Sequence, residues 1–265
     1  MSPQSQIMPC GTRLHLQHGP IDLVIGADGD RAIAFSAAQA RFETVLDELV
    51  AELPLLKTQL TARSPCPNGM IAQRMDQATR PLCHRFVTPM AAVAGAVADT
   101  VLSAMCAATP LHRAYVNNGG DIALHLTPGN SFASAIMDHQ GHDLGRVNIH
   151  HVDGVAGIAT SGRHGRSLSL GIADSVTVLA SSAAQADAAA TLIANAVDLP
   201  GHPAIHRRPA DQLQSDSDLG EQRVVTHCDP LSPPALQNAL IAGYSHALDM
   251  QHSHQIIAAA LFLQC

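Results

Sequence analysis

The sequence predicts an α+β fold, an antiparallel sheet packed against helices, and three observations carry that expectation. The chain opens on two short apolar runs split by a turn and followed by a helical stretch. Its middle is a succession of short strand-like segments separated by Gly, Asn and Asp. Ala-rich helical segments lie on both sides of those strands, and no linker divides the chain convincingly, so residues 1–265 are expected to form a single domain.

The elements follow in order. Leu14 to Ile25, interrupted by His18-Gly19-Pro20, reads as a hairpin, and Ala32 to Leu53 repeats apolar residues at helical spacing through Phe35, Ala38, Phe42, Val45, Leu46 and Leu49. Cys66-Pro67-Asn68-Gly69 is turn chemistry ahead of a second helix over 69–78, which Arg80-Pro81 breaks. Thr88 and Pro89 supply an N-cap and a first-turn proline for a helix over 90–107 that Thr109-Pro110 closes. That helix is nearly all apolar but contains Asp99, which is expected to have a structural or capping role, so a buried core helix is favoured over a membrane span. Its lack of a polar face calls for cover on every side, which favours a homodimer.

Strands are expected over 114–117, 122–126, 132–137, 146–152 and 175–180, with Asn118-Gly119-Gly120-Asp121 joining the first two. A helix over 183–197 follows. Residues 200–233 lack periodicity and read as an irregular excursion, before a helix over 234–249 and a final strand within 255–263.

Composition excludes several classes. A net charge of -7 with no Trp, two Tyr and five Phe provides neither a basic phosphate-tracking surface nor a base-stacking platform, so nucleic acid is not an expected partner. Six cysteines without a Cys-x-x-Cys pair, and a start with no signal-like apolar stretch, point to reduced thiols, a cytoplasmic location and no membrane partner. No Walker loop, Rossmann fingerprint or Gly-x-Ser-x-Gly elbow is present. His139, His142, His150 and His151, or His252 and His254 on one strand face, offer metal ligands without zinc spacing and read as surface histidines. Cys106 reads as a packed thiol.

The site signal is concentrated in 155–199. Asp187 and Thr191, four apart on one helix face beside a strand ending in Thr160-Ser161-Gly162, can converge on a hard cation or a phosphate. Arg163, His164 and Arg166 next to Gly162 and Gly165 make a basic turn able to approach phosphate oxygens. Asn117, Asn118, Gly119, Gly120 and Asp121 serve equally as a tight turn or as ligand contacts.

Four motifs occur in the order seen in the ApbE-like superfamily: residues 116–122 (Val-Asn-Asn-Gly-Gly-Asp-Ile), 159–162 (Ala-Thr-Ser-Gly), 175–178 (Ser-Val-Thr-Val) and 186–191 (Ala-Asp-Ala-Ala-Ala-Thr). The chain resembles that superfamily over about residues 87–197. The helix starting at Met90 and residues 167–171 look closer to an uncharacterised branch than to the flavin transferases. The resemblance implies an ApbE-like T-fold and a site where FAD, or another phosphorylated nucleotide, meets magnesium. It implies metal contacts from Asp187, Thr191 and the Ala190 carbonyl; from the residues themselves, Asn117, Asn118, Gly119, Gly120, Thr160, Ser161, Gly162, Arg163 and Arg166 are the expected cofactor contacts. Any activity would be a transferase or pyrophosphate-cleaving one of the FMN-transferase type, with His164 or Asp121 moving a proton. Two departures argue against FMN transfer: Ala94 stands where the transferases have a lysine, and a short 164–169 segment replaces their His-Ile-Ile-Asp-Pro-type stretch. The alternative is a non-catalytic accessory or assembly protein in a redox or sulfur pathway.

Overall fold

The computed structural model describes residues 2–137 and 140–264. In chain order the elements are β1 (Gln4–Ile7), β2 (Arg13–His18), β3 (Ile21–Gly29), α1 (Arg31–Ala51), α2 (Leu53–Leu56), α3 (Met70–Thr79), α4 (Val93–Ala108), β4 (Leu111–Asn118), β5 (Asp121–Leu126), β6 (Ser131–Met137), β7 (Asp143–His150), β8 (Gly157–Ser161), β9 (Ser175–Ala180), α5 (Ala183–Ala196), β10 (Ile205–Pro209), α6 (Ala210–Leu213), β11 (Arg223–Cys228), α7 (Pro233–His252) and β12 (Ala258–Phe262). Eight strands form one antiparallel sheet in the order β1-β2-β3-β4-β5-β8-β9-β12, which bears out the α+β expectation.

Strand alternation makes the two faces different. Leu23 and Ile25 of β3, Ala114 and Val116 of β4, and Val176 and Val178 of β9 join the buried side chains of α1, α3, α4, α5 and α7 in the main core. The opposite residues, among them Leu124, Leu126 and Ile158, pack under the separate β6–β7 hairpin with Ile149, Phe132 and Val147. A helix layer on one face and a two-stranded flap on part of the other set the architecture.

The expected helices are present with shifted ends. In α1 the buried residues are Ala34, Phe35, Ala38, Phe42, Val45 and Leu49, nearly the face read from spacing. Residues 89–108 are long and apolar enough to cross a membrane, yet Ala96, Val97, Ala98 and Val101 are buried among α1, α3, α5, β4 and β5. Much of the cover for α4 is therefore intramolecular, while Ser103, Ala107 and Ala108 remain exposed.

Three expectations are corrected. Residues 200–233 are not irregular throughout, because β10 and β11 pair as an antiparallel arm. Thr88 makes no side-chain cap; its hydroxyl donates to the Asp218 carboxylate across the chain. His252 and His254 share no strand face, since His252 ends α7 and His254 follows in a left-handed turn at φ 57°. β1, exposed throughout and recruited by pairing with β2, carries no apolar pattern from which to predict it. His139 lies outside the described residues.

His246 on α7 is 5% exposed, and both ring nitrogens lack a hydrogen-bond partner. Burial, with Arg85 and His84 adding positive charge and Asp249 opposing them, brings its pKa down to about 4. The unfolded chain binds this proton near pH 6.5 and the native ring does not, so stability is present above about pH 6.5 and lost as pH falls toward about 4. His246→Leu should flatten the fall in thermal midpoint across that window, removing on the order of 2 kcal/mol of pH dependence. An unchanged slope in the variant would show that other groups carry it.

Candidate functional site

The family motifs meet at one end of the sheet, where β4 and β8 finish and β5 and β9 begin. Asn118 and Asp121 pair across β4 and β5, leaving Gly119-Gly120 as a two-residue turn with φ of 66° and 117°. Only glycine adopts both angles without strain, as primed hairpin turns require. Asn117 Oδ1 accepts from the Gly120 amide at 2.8 Å, so this side chain serves the turn. Asn118 is buried against the helices, its amide donating to the Ala94 carbonyl at 3.1 Å.

Helices α4 and α5 cap each other. Asp99 of α4 accepts from the Ala183 and Ala184 amides at 3.0 and 2.9 Å, at the start of α5. Asp187 of α5 accepts from the Gly95 amide at 3.0 Å, at the start of α4. Each carboxylate thus satisfies amides that a helix N-terminus leaves without intrahelical partners. The capping role expected for Asp99 is borne out. Gly95 makes the close approach possible, because a Cβ there would strike the Ala183 carbonyl.

Asp121 lies near Asp187, and the two carboxyls interact. Burial, then the Asp121 charge, pushes the Asp187 pKa well up, with the Gly95 and Ala94 amides opposing. Burial also pushes Asp121 up to about 7, against the Thr160 amide and the Arg166 guanidinium. Arg166 extends from the exposed 163–168 turn over the hairpin tip, and a side chain at Gly119 would collide with its guanidinium. Two acidic groups, two helix-start amides and one arginine therefore share a half-buried corner. Such a corner can hold a cation between the carboxylates or an anion near the arginine, and it can exchange a proton near neutral pH.

The other predicted residues divide. Thr191 lies one turn beyond Asp187 on the same α5 face. The Ala190 carbonyl sits inside an unbroken helix, so only its second lone pair is available. Thr160 is exposed, with its hydroxyl 2.9 Å from that of Thr177 on β9. Arg163 and His164 both reach Asp174, at 2.7 and 3.0 Å, and the Gln264 amide donates to the same carboxylate. These contacts tie Ser161-Gly162-Arg163 to the starts of β9 and the C-terminal segment. Asp174 as organiser of the turn and Gly95 as the spacer between α4 and α5 were missed, for neither stands in a motif that suggests the role. Among the described residues no three His, Cys, Asp or Glu side chains converge as a metal cluster, so an ion here would need hydroxyl, backbone, water or ligand oxygens as well.

A sequence profile described as AbpE bacteria matches residues 5–265, essentially the whole chain. The chain belongs to this family. Relatives of the chain include a UPF0280 protein of Methanopyrus kandleri, 36% identical over 178 residues covering 66% of this chain and 69% of the relative. Another is a UPF0280 protein of Methanothrix thermoacetophila, 32% identical over 189 residues covering 68% and 75%. The ApbE-like resemblance is thereby borne out on its UPF0280 side. Among solved structures, the ApbE protein of Thermotoga maritima aligns over 74% of this chain and 88% of its own, at 12% identity and TM-score 0.48. A flavin transferase ApbE from Vibrio cholerae aligns over 72% and 86%, at 14% identity and TM-score 0.32.

Proposed function

We propose that this protein binds a phosphorylated nucleotide, a flavin nucleotide such as FAD first among them, together with a divalent metal of the magnesium type, in the cytoplasm. The observation that carries the reading is the Asp121–Asp187 pair, two interacting half-buried carboxyls beside Arg166. Like charges held together away from water are costly, and a hard dication with oxygen ligands offsets that cost. The donor set fits: Asp187, Asp121 and Thr191 would hold the ion, with the Ala190 carbonyl as a weaker contact. When bound, magnesium neutralises phosphate charge and polarises a phosphoryl oxygen.

The chain's own residues have separable tasks. Arg166, exposed and extended over Gly119, can swing onto a phosphate, and the Gly119-Gly120 turn keeps side chains out of its path. Asp121, with a pKa of about 7, can take or give a proton near neutrality when no ion occupies the pair. Arg163 and His164 position the turn through Asp174 rather than meeting the ligand directly. A second reading, binding without turnover as an accessory protein, is favoured by Ala94, which has no side-chain charge to offer the ligand.

Equilibrium dialysis of the purified protein with FAD, with and without magnesium, tests the proposal. Metal-dependent retention is expected, and Arg166→Ala should weaken it about tenfold with an unchanged thermal midpoint. Release of AMP would support the transferase or pyrophosphate-cleaving reading, and retention of intact FAD the accessory one. No retention under either condition would overturn FAD as the ligand.

A further inference from the structure

We infer that the cleft at the C-terminal end of α5 is a second binding site, for an organic anion with an apolar body and a carboxylate, phosphate or sulfonate head. The cleft has a volume of about 980 Å³, within the range of small-molecule sites, and none of Asp121, Arg166, Asp187 or Thr191 lines it. Leu192 and Ala196 face it, turned about 140° and 180° round the helix from Asp187. The inference is therefore independent of the function proposed above.

The lining suits an amphipathic anion. Phe86, Leu170, Leu192 and Ile205 provide apolar wall, whereas Arg85, Arg207 and Arg223 stand among the polar residues. Arg207 is already matched: its guanidinium pairs with Asp198 and donates to the Leu170 carbonyl at 2.5 Å, both ion-pair partners being largely buried. Asn195 Oδ1 accepts from the Leu170 amide at 2.9 Å, fixing the same wall from the α5 side. Set against Glu221, the exposed Arg85 and Arg223 leave an excess of positive charge in a chain whose net charge is -7. An anionic head is thus favoured at the rim, and an apolar body over the wall.

The β10–β11 arm supplies much of this wall. It pairs with no strand of the main sheet, yet it is tied down by the Val225 amide donating to the Ser169 carbonyl and the Asp229 amide donating to that of Ala204, at 2.8 and 2.9 Å. Ile205, Arg207 and Arg223 are held in place by these anchors, so the cleft is formed before any ligand arrives.

The chain has no Trp, so Phe86→Trp places a single reporter in the cleft. With 8-anilinonaphthalene-1-sulfonate as probe, saturable one-to-one binding with energy transfer from the introduced indole is expected. Adding Arg85→Ala and Arg223→Ala should weaken the dye about tenfold, Glu221→Gln should tighten it, and Asp187→Asn should leave it unchanged. Decanoate displacing the dye would assign a fatty-acid-type carboxylate, and adenosine monophosphate displacing it a nucleotide. Unsaturable binding, equal affinity across the arginine and Glu221 variants, or displacement by inorganic phosphate as effective as by either organic anion would overturn the inference.

Discussion

Asp99→Ala is expected to lower unfolding stability by about 3 kcal/mol, a drop of roughly 6–10 °C in the thermal midpoint of a chain this size. Asp99 is 9% exposed and accepts from two amides at the start of α5, at 3.0 and 2.9 Å. Removing the carboxylate leaves both amides buried without partners and withdraws a negative charge from a helix N-terminus. Asp99→Asn keeps one acceptor oxygen and should lose about half as much. Urea unfolding measures both; an Asp99→Ala midpoint equal to wild type would mean that water replaces the cap.

Asp187→Asn should separate binding from folding in the opposite sense. Manganese or magnesium affinity is expected to fall by about tenfold or more, since a carboxylate ligand is lost. Stability of the metal-free protein at pH 8 should hold or rise by about 2 kcal/mol, because the amide oxygen still accepts from Gly95 while the repulsion with Asp121 disappears. The sign follows from the raised native pKa values: their stabilising contribution is complete below about pH 4 and is lost as pH rises toward and beyond about 7. The variant should therefore gain most on the alkaline side. Equal metal titrations for Asp187→Asn and wild type would reduce Asp187 to the cap of α4 and remove the basis for a metal site.

Much of the framework was legible because its signals are local. The 3.6-residue spacing of Phe35, Ala38, Phe42 and Val45 marks the buried face of α1, and the same rule marks α4 as a core helix. Asn118-Gly119-Gly120-Asp121 announces the hairpin because glycine alone tolerates both turn angles. The β10–β11 arm was illegible for the converse reason, since its two short strands carry few apolar residues and no apolar periodicity.

The sequence by itself determined the α+β class, the order of the long helices and of most main-sheet strands, the burial of α4 and the motifs that gather at one sheet end, all of which depend on residues within a few turns or strands of one another. Only the tertiary structure decided which charges meet. Asp187 reaches Gly95 across 92 residues and Asp99 reaches Ala183 across 84, so reciprocal capping depends on how α4 packs against α5. It likewise turned Arg163 and His164 onto Asp174, brought Asp121 beside Asp187 and left Arg166 extended over the hairpin. A carboxylate's partner is set by packing geometry and burial, and neither is encoded in the spacing around it.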